Sequence, residues 1–163
     1  MSIPRDLAVR SYCEEDIPSV RNLIVELQDD MRRIDDRLAS GESMADAYLE
    51  YLFEQCKTCV GRIFVVESDD TVVGFVCVLA RVPHEGLDEP PGHYAFITDL
   101  IVRERFRLRG FGVALLDEAE RWAKAAGATD LRIGVLSENA GAMRLYRRAG
   151  FKPYSEILAK QLG

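Results

Sequence analysis

Between an apolar run at Tyr94–Val102 and a helical stripe of Leu115, Ala119, Trp122 and Ala126, the chain reads Arg107-Leu108-Arg109-Gly110-Phe111-Gly112. Few folds accommodate that order, because a strand must hand over to an amphipathic helix through one glycine-bearing turn. A helix start presents unpaired N–H groups and a partial positive charge, which attract phosphate oxygens. Glycine at 110 and 112 removes side chains that would keep such a group away, and Arg107 and Arg109 add charge-assisted donors. The same residues also suit a plain turn whose glycines only relieve strain. Two other phosphate motifs fail on spacing. G-x-G-x-x-G would need its third glycine at Leu115, and Arg103–Arg109 separates Gly110 from its strand. No Gly-Lys-Ser/Thr closes the stretch as in a P-loop.

The rest of the chain alternates between the two periods. A short strand is expected at Leu7–Arg10. Asp16 and Pro18 open a helix carried by Ile17, Val20, Ile24, Leu27, Met31 and Ile34. Ser40-Gly41 interrupts it, and Ser43 is expected to cap a second helix with a buried stripe of Tyr48, Leu49, Leu52, Phe53 and Cys56. Ile63–Glu67 and Val72–Arg81 read as strands joined by a hairpin at Ser68-Asp69-Asp70. A loop at Pro83–Gly92 precedes the strand at Tyr94–Val102 and the helix at Gly110–Ala126. A strand at Asp130–Leu136, a helix at Ala140–Ala149 and a last strand at Pro153–Ala159 follow. The order β-α-α-β-β-β-α-β-α-β implies an α/β (α+β) domain over residues 1–163, one mixed sheet with helices on both faces.

Charge is divided along the chain. Residues 1–98 carry a net −10 and residues 99–163 a net +4, which suits a cationic ligand in front and a phosphorylated one behind. The overall −6 argues against a nucleic-acid binder, and no apolar run is long enough to span a bilayer. MSIPRDLAVR lacks the apolar stretch of a secretory signal, so a cytoplasmic setting is expected. Cys13, Cys56, Cys59 and Cys77 read as core cysteines. The C-x-x-C at Cys56–Cys59 has too few companion ligands for zinc, and no metal site is expected.

A second cluster runs from Asn139 to Phe151. Asn139, Ala142 and Tyr146 fall on one helix face. Asn139 can cap that helix or offer its amide to a ligand, and Tyr146 is either a core residue or a proton donor. Together the two clusters resemble the GNAT superfamily, the Gcn5-related N-acetyltransferases. Arg107, Gly110 and Gly112 after Leu100-Ile101-Val102 match its Arg/Gln-x-x-Gly-x-Gly/Ala motif. Asn139, Ala142, Leu145, Tyr146, Gly150 and Phe151 match its Asn-x-x-Ala-x-x-Leu-Tyr-x-x-x-Gly-Phe motif. Leu108, where many members carry glycine, and Glu104, where proline is frequent, depart from the pattern.

The resemblance implies a GNAT fold with a mixed, mostly antiparallel sheet, and acetyl-coenzyme A as cofactor. It places pantetheine along Leu100, Ile101 and Val102, and the pyrophosphate on Arg107, Leu108, Arg109, Gly110, Phe111, Gly112 and Val113, with Asn139, Ala142 and Tyr146 completing the cofactor set. An amine would attack the acetyl carbonyl directly, with a backbone N–H of Leu100 or Ile101 polarising it. Tyr146 would serve the departing thiolate, and Asp99 would take the amine's proton. Strand alternation sets Asp99 on the face of Ile97 and Ile101, opposite Leu100 and Val102. Acceptor residues are expected at Glu26, Asp29, Asp30 and Tyr94. A small, cationic amine is the expected acceptor, with a peptide α-amine or a non-catalytic coenzyme-binding role as alternatives. Homodimers are frequent in the family.

Overall fold

The computed structural model describes residues 7–163; residues 1–6, within the domain expected over 1–163, lie outside the described residues. Strands β1 (Ala8–Ser11), β2 (Gly61–Ser68), β3 (Thr71–Pro83), β4 (His93–Val102) and β5 (Leu131–Ile133) form one sheet in that spatial order. The first four pair antiparallel, and β5 joins β4 parallel. Helices α1 (Ile17–Ile34) and α2 (Gly41–Thr58) cover one face, and α3 (Phe111–Ala125) and α4 (Ala140–Arg148) the other.

β3 is the spine. Val72 to Ala80 are all buried, because both faces of a central strand are covered, and the run is correspondingly apolar throughout. Its hairpin with β2 turns at Asp69 and Asp70, both left-handed at φ +50° and +57°, the pair of conformations that matches strand twist in a two-residue turn. The helix start expected at Ser43 moves forward: Ser40 caps α2, its hydroxyl accepting from the Ser43 N–H at 3.4 Å. At the other end of the sheet, Arg10 ties β1 to the start of α1, donating to Asp16 at 2.7 Å and to Glu67. Its hydrogen bond holds the buried Asp16 carboxyl down at about 2.

Three expectations are corrected. No strand forms at Pro153–Ala159; residues 151–163 are irregular, with Ile157 and Leu158 at least 90% exposed. A strand there needs a neighbour, and residues 151–163 pair with none of the described strands. Cys13 is exposed and Cys56 and Cys59 are only partly buried, rather than all in the core, and the Cys56 and Cys77 thiols lie 3.7 Å apart. Strict alternation also fails along β4. Cys77 lies opposite Asp99 and Val78 opposite Ile97, so Thr98 is an extra residue, a β-bulge. The bulge turns Ile97 toward α3, while Ile101 packs on the α1–α2 side and Asp99 meets Tyr48 of α2 there. Among the described residues no helix is long and apolar enough to cross a membrane.

Candidate active site

The bulge sits where the sheet opens. β4 and β5 pair only from Ala95–Leu131 to Ile97–Ile133, and from Thr98 onward β4 pairs with β3 alone. Leu100, Ile101 and Val102 therefore border a cleft. Just past them lies the turn into α3. Arg107 donates to the Val102 carbonyl at 2.8 Å, and Leu108 and Gly110 take left-handed φ values of +60° and +91°. Gly110 is the helix N-cap. A Cβ added at Gly110 would meet nothing within 4 Å, so its backbone conformation is what calls for glycine; one added at Gly112 would lie 3.1 Å from Leu145 of α4. The two glycines thus answer different demands, conformation at 110 and close packing at 112. Phe111 is buried, Val113 is 46% exposed, and Arg109, beside the Phe106 ring at 5.6 Å, makes no ion pair among the described residues.

These amides can hold a diphosphate: they open a helix of fifteen residues, no side chain caps them, and an unpaired arginine stands beside them. Arg107 is differently placed. Its guanidinium pairs with Asp30 and lies 3.7 Å from Glu26 on α1, so it fastens the turn to that helix. Across the cleft, Asn139 caps α4, its carbonyl accepting from the Ala142 N–H at 3.1 Å and leaving its NH2 group as the free donor.

Tyr146, two turns further along α4, is half-buried against Phe151. Burial and the field of Asp99 push its hydroxyl up to about 12, so it is a donor at neutral pH. Asp99 is 6% exposed and has no cationic partner among the described residues. Both its oxygens accept from the Tyr48 hydroxyl, at 3.0 and 3.1 Å. Desolvation raises the carboxyl above its usual range, although its hydrogen bonds oppose the shift; the same pairing and burial raise Tyr48.

The acceptor candidates fall elsewhere. Glu26 accepts from the Glu104 N–H at 3.0 Å, Asp29 from the Gly41 N–H at 2.8 Å, and Asp30 pairs with Arg107 and Arg33. All three fasten α1 to its neighbours. Tyr94 lies under the Arg132 guanidinium at 4.0 Å. What lines the pocket between α1 and α2 is Ile24, Leu27, Gln28, Met31, Met44, Tyr48 and Asp99. In the sequence Tyr48 stands only as part of a buried stripe. Its signal was the hydroxyl, since a buried tyrosine oxygen must find a partner.

A family model described as the acetyltransferase (GNAT) family matches residues 24–151. The chain belongs to the GNAT acetyltransferase family. It is 35% identical over 63 residues to an uncharacterized N-acetyltransferase, YobR, of Bacillus subtilis. That match covers 39% of this chain and 26% of the relative, so the chain spans about a quarter of that relative's length. A Pyrococcus furiosus protein assigned as an acetyl transferase is 25% identical and superposes with a TM-score of 0.72, covering 96% of this chain and 99% of that one. Aminoglycoside N-acetyltransferase AAC(6')-Iy, solved with CoA, is 19% identical and matches in fold at a TM-score of 0.72 over 99% of both chains. The cofactor of the GNAT family is acetyl-coenzyme A.

Proposed function

We propose that the domain transfers acetyl from acetyl-coenzyme A to the primary amine of a small molecule, in the cytoplasm, by direct attack within a ternary complex. The observation that carries this reading is the convergence on one cleft of the open β4 edge, the uncapped amides of α3, Tyr146 and a buried carboxylate. Bound there, the coenzyme supplies an acyl thioester. Gly110 to Val113 and Arg109 hold its diphosphate, and the β4 edge from Leu100 to Val102 aligns its arm. The N–H of Leu100 or Ile101 stabilises negative charge developing on the carbonyl oxygen.

Asp99 takes one proton from the incoming ammonium, which at neutral pH is otherwise nearly all protonated. A carboxyl raised by burial is a better base than an ordinary aspartate. Overall one N–C bond replaces one C–S bond; of the two protons the ammonium loses, one leaves through Asp99 to solvent and the other ends on sulfur. Tyr146 at about 12 would give a full proton to a thiolate of ordinary pKa, about 8.5, only at a cost of about 5 kcal/mol. Its role is therefore to donate a hydrogen bond that stabilises the thiolate, not to be its acid.

Labelled acetyl-coenzyme A offered with a panel of amines tests this reading. Incorporation into a free amine supports it; coenzyme binding without transfer to any amine would make the domain a sensor, and transfer to peptides alone would make it a peptide α-amine enzyme. Tyr146→Phe should lower kcat about 10- to 100-fold, the worth of one hydrogen bond to a charged group, with coenzyme affinity unchanged by calorimetry. Equal turnover would remove the tyrosine from the reaction.

A homodimer is part of the proposal. β5 has a free outer edge, and Tyr154, over Arg132 at 4.4 Å, starts the exposed apolar segment whose sequence favours a strand. A second copy offers that segment a partner. Sedimentation should find a dimer that a chain ending at Lys152 does not form; a full-length monomer at high concentration would refute it.

A further inference from the structure

We propose that the acceptor is a monoamine on an apolar body, about the size of a phenyl ring or a short branched alkyl chain, seated between α1 and α2 with its ammonium against Asp99 and Tyr48. This rests on the acetyltransferase reading of the same cleft and narrows it. Three observations carry the proposal. The pocket walls are Ile24, Leu27 and Met31 from α1 and Met44 from α2, with Asp99 and Tyr48 as its charged and hydroxylic members. Gln28 donates one amide hydrogen to the Ala39 carbonyl at 2.9 Å, which leaves it one N–H and its carbonyl oxygen to offer.

The second observation is the carboxylate itself. A buried carboxylate whose partners are neutral hydroxyls, those of Tyr48 and the adjacent Thr98, is costly, because desolvation outweighs neutral hydrogen bonds. An ammonium entering the pocket supplies the missing countercharge, and Tyr48 holds the carboxylate still to receive it. The third is what the neighbouring acids do. Glu26, Asp29 and Asp30 are committed to backbone N–H groups and to Arg107, so a second ammonium in the pocket would find no second carboxylate, only the neutral Gln28 carbonyl among thioether and alkyl surface. Burying it unpaired costs several kcal/mol. One charge is read and the remainder is not. The volume, about 120 Å³, is close to the roughly 150 Å³ of an apolar cavity that accepts benzene, and the two methionines can adapt their shape around such a guest.

The test compares kcat/KM for phenethylamine and 3-methylbutylamine with that for spermidine and neamine, and titrates phenethylamine calorimetrically into the protein–coenzyme A complex. The apolar monoamines should lead spermidine at least tenfold. Met44→Glu should weaken phenethylamine binding at least tenfold, and Met44→Leu by no more than about threefold, with coenzyme affinity unchanged in both. Among peptides, one beginning with leucine should outrun one beginning with lysine; if it also outruns the free amines, the same apolar recognition is directed at chain ends. Preference for spermidine or neamine, or for the lysine peptide, overturns the proposal and leaves the acetyltransferase reading intact. So does phenethylamine binding that Met44→Glu does not weaken. Failure to bind coenzyme, or to acetylate any amine, overturns both.

Discussion

The two sides of the cleft are made of different material. The proposed coenzyme side is built from backbone: the amides opening α3, two left-handed residues at 108 and 110, and a strand edge freed by the early end of β5. The proposed acceptor side is built from side chains that α1, α2 and β4 bring together from Ile24 to Asp99. A backbone site tolerates most side-chain changes but not a change of backbone or an intruding group, whereas a side-chain site behaves in the opposite way. That difference explains how one fold can keep its cofactor while its acceptor varies.

The largest expected effect breaks the coenzyme side alone. Gly112→Asp puts a carboxylate against the amides that would hold a diphosphate and presses on Leu145, 3.1 Å from the new Cβ. Coenzyme affinity should fall at least about 100-fold, as like charge replaces a cradle. Gly112→Ala separates the two causes: it keeps the crowding without the charge and should retain most of the affinity. Calorimetry with coenzyme A, alongside circular dichroism to check the fold, measures both. Equal losses in the two variants would make Gly112 a packing residue only.

Asp99→Asn strikes the acceptor side. Turnover should fall about 100-fold, the usual worth of a positioned general base, while coenzyme affinity holds. Stability should move the other way. The folded pKa of Asp99 is raised above its unfolded value of about 3.9, so the native state binds the proton more tightly. Its contribution to stability is therefore present in acid and lost as pH rises through the folded pKa. Asparagine carries no such loss and can still accept from Tyr48. The variant's Tm should match the parent's near pH 3.5, exceed it increasingly as pH rises, and then hold a constant lead. A constant difference at every pH would mean that the Asp99 carboxylate carries no burial cost.

How much of this was legible in the sequence follows the same division. The helix start at Gly110 and the face shared by Asn139, Ala142 and Tyr146 could be read directly, because each depends on near neighbours in the chain. The three strands with strong alternation or continuous apolar runs, β2, β3 and β4, were equally plain, whereas β5 is shorter, Leu131–Ile133, than the Asp130–Leu136 expected. The face of Ile97 was misread because the Thr98 bulge depends on the register between β3 and β4, which no local pattern carries. The acidic residues of α1 looked like a cation-binding mouth because charge is visible in sequence and its partners are not. Glu26 and Asp30 meet the turn before α3 only in the fold. Tyr48 was hidden for the converse reason: its spacing spoke for the core, and its hydroxyl reaches a carboxylate on another element. The absent strand at Pro153–Ala159 shows that strand propensity needs a neighbour before it becomes structure.

The smallest effect is the sharpest test of the claim that the coenzyme side is backbone. Leu108 holds φ +60° with a side chain 90% exposed, so it stabilises the turn by no burial and strains it by about 1–2 kcal/mol. Leu108→Gly removes that strain and costs about 0.4–1 kcal/mol through the greater freedom of the unfolded chain. The net should be a gain of no more than about 1.6 kcal/mol, seen as a rise of at most roughly 6 °C in Tm. Leu108→Val, β-branched at a positive φ, should lower Tm instead. In neither variant should coenzyme affinity change more than about twofold, because the amides from Gly110 to Val113 keep their directions. A tenfold loss in Leu108→Gly with the fold intact would mean that the leucine side chain itself meets the coenzyme, and that the two sides of the cleft are less different than their construction suggests.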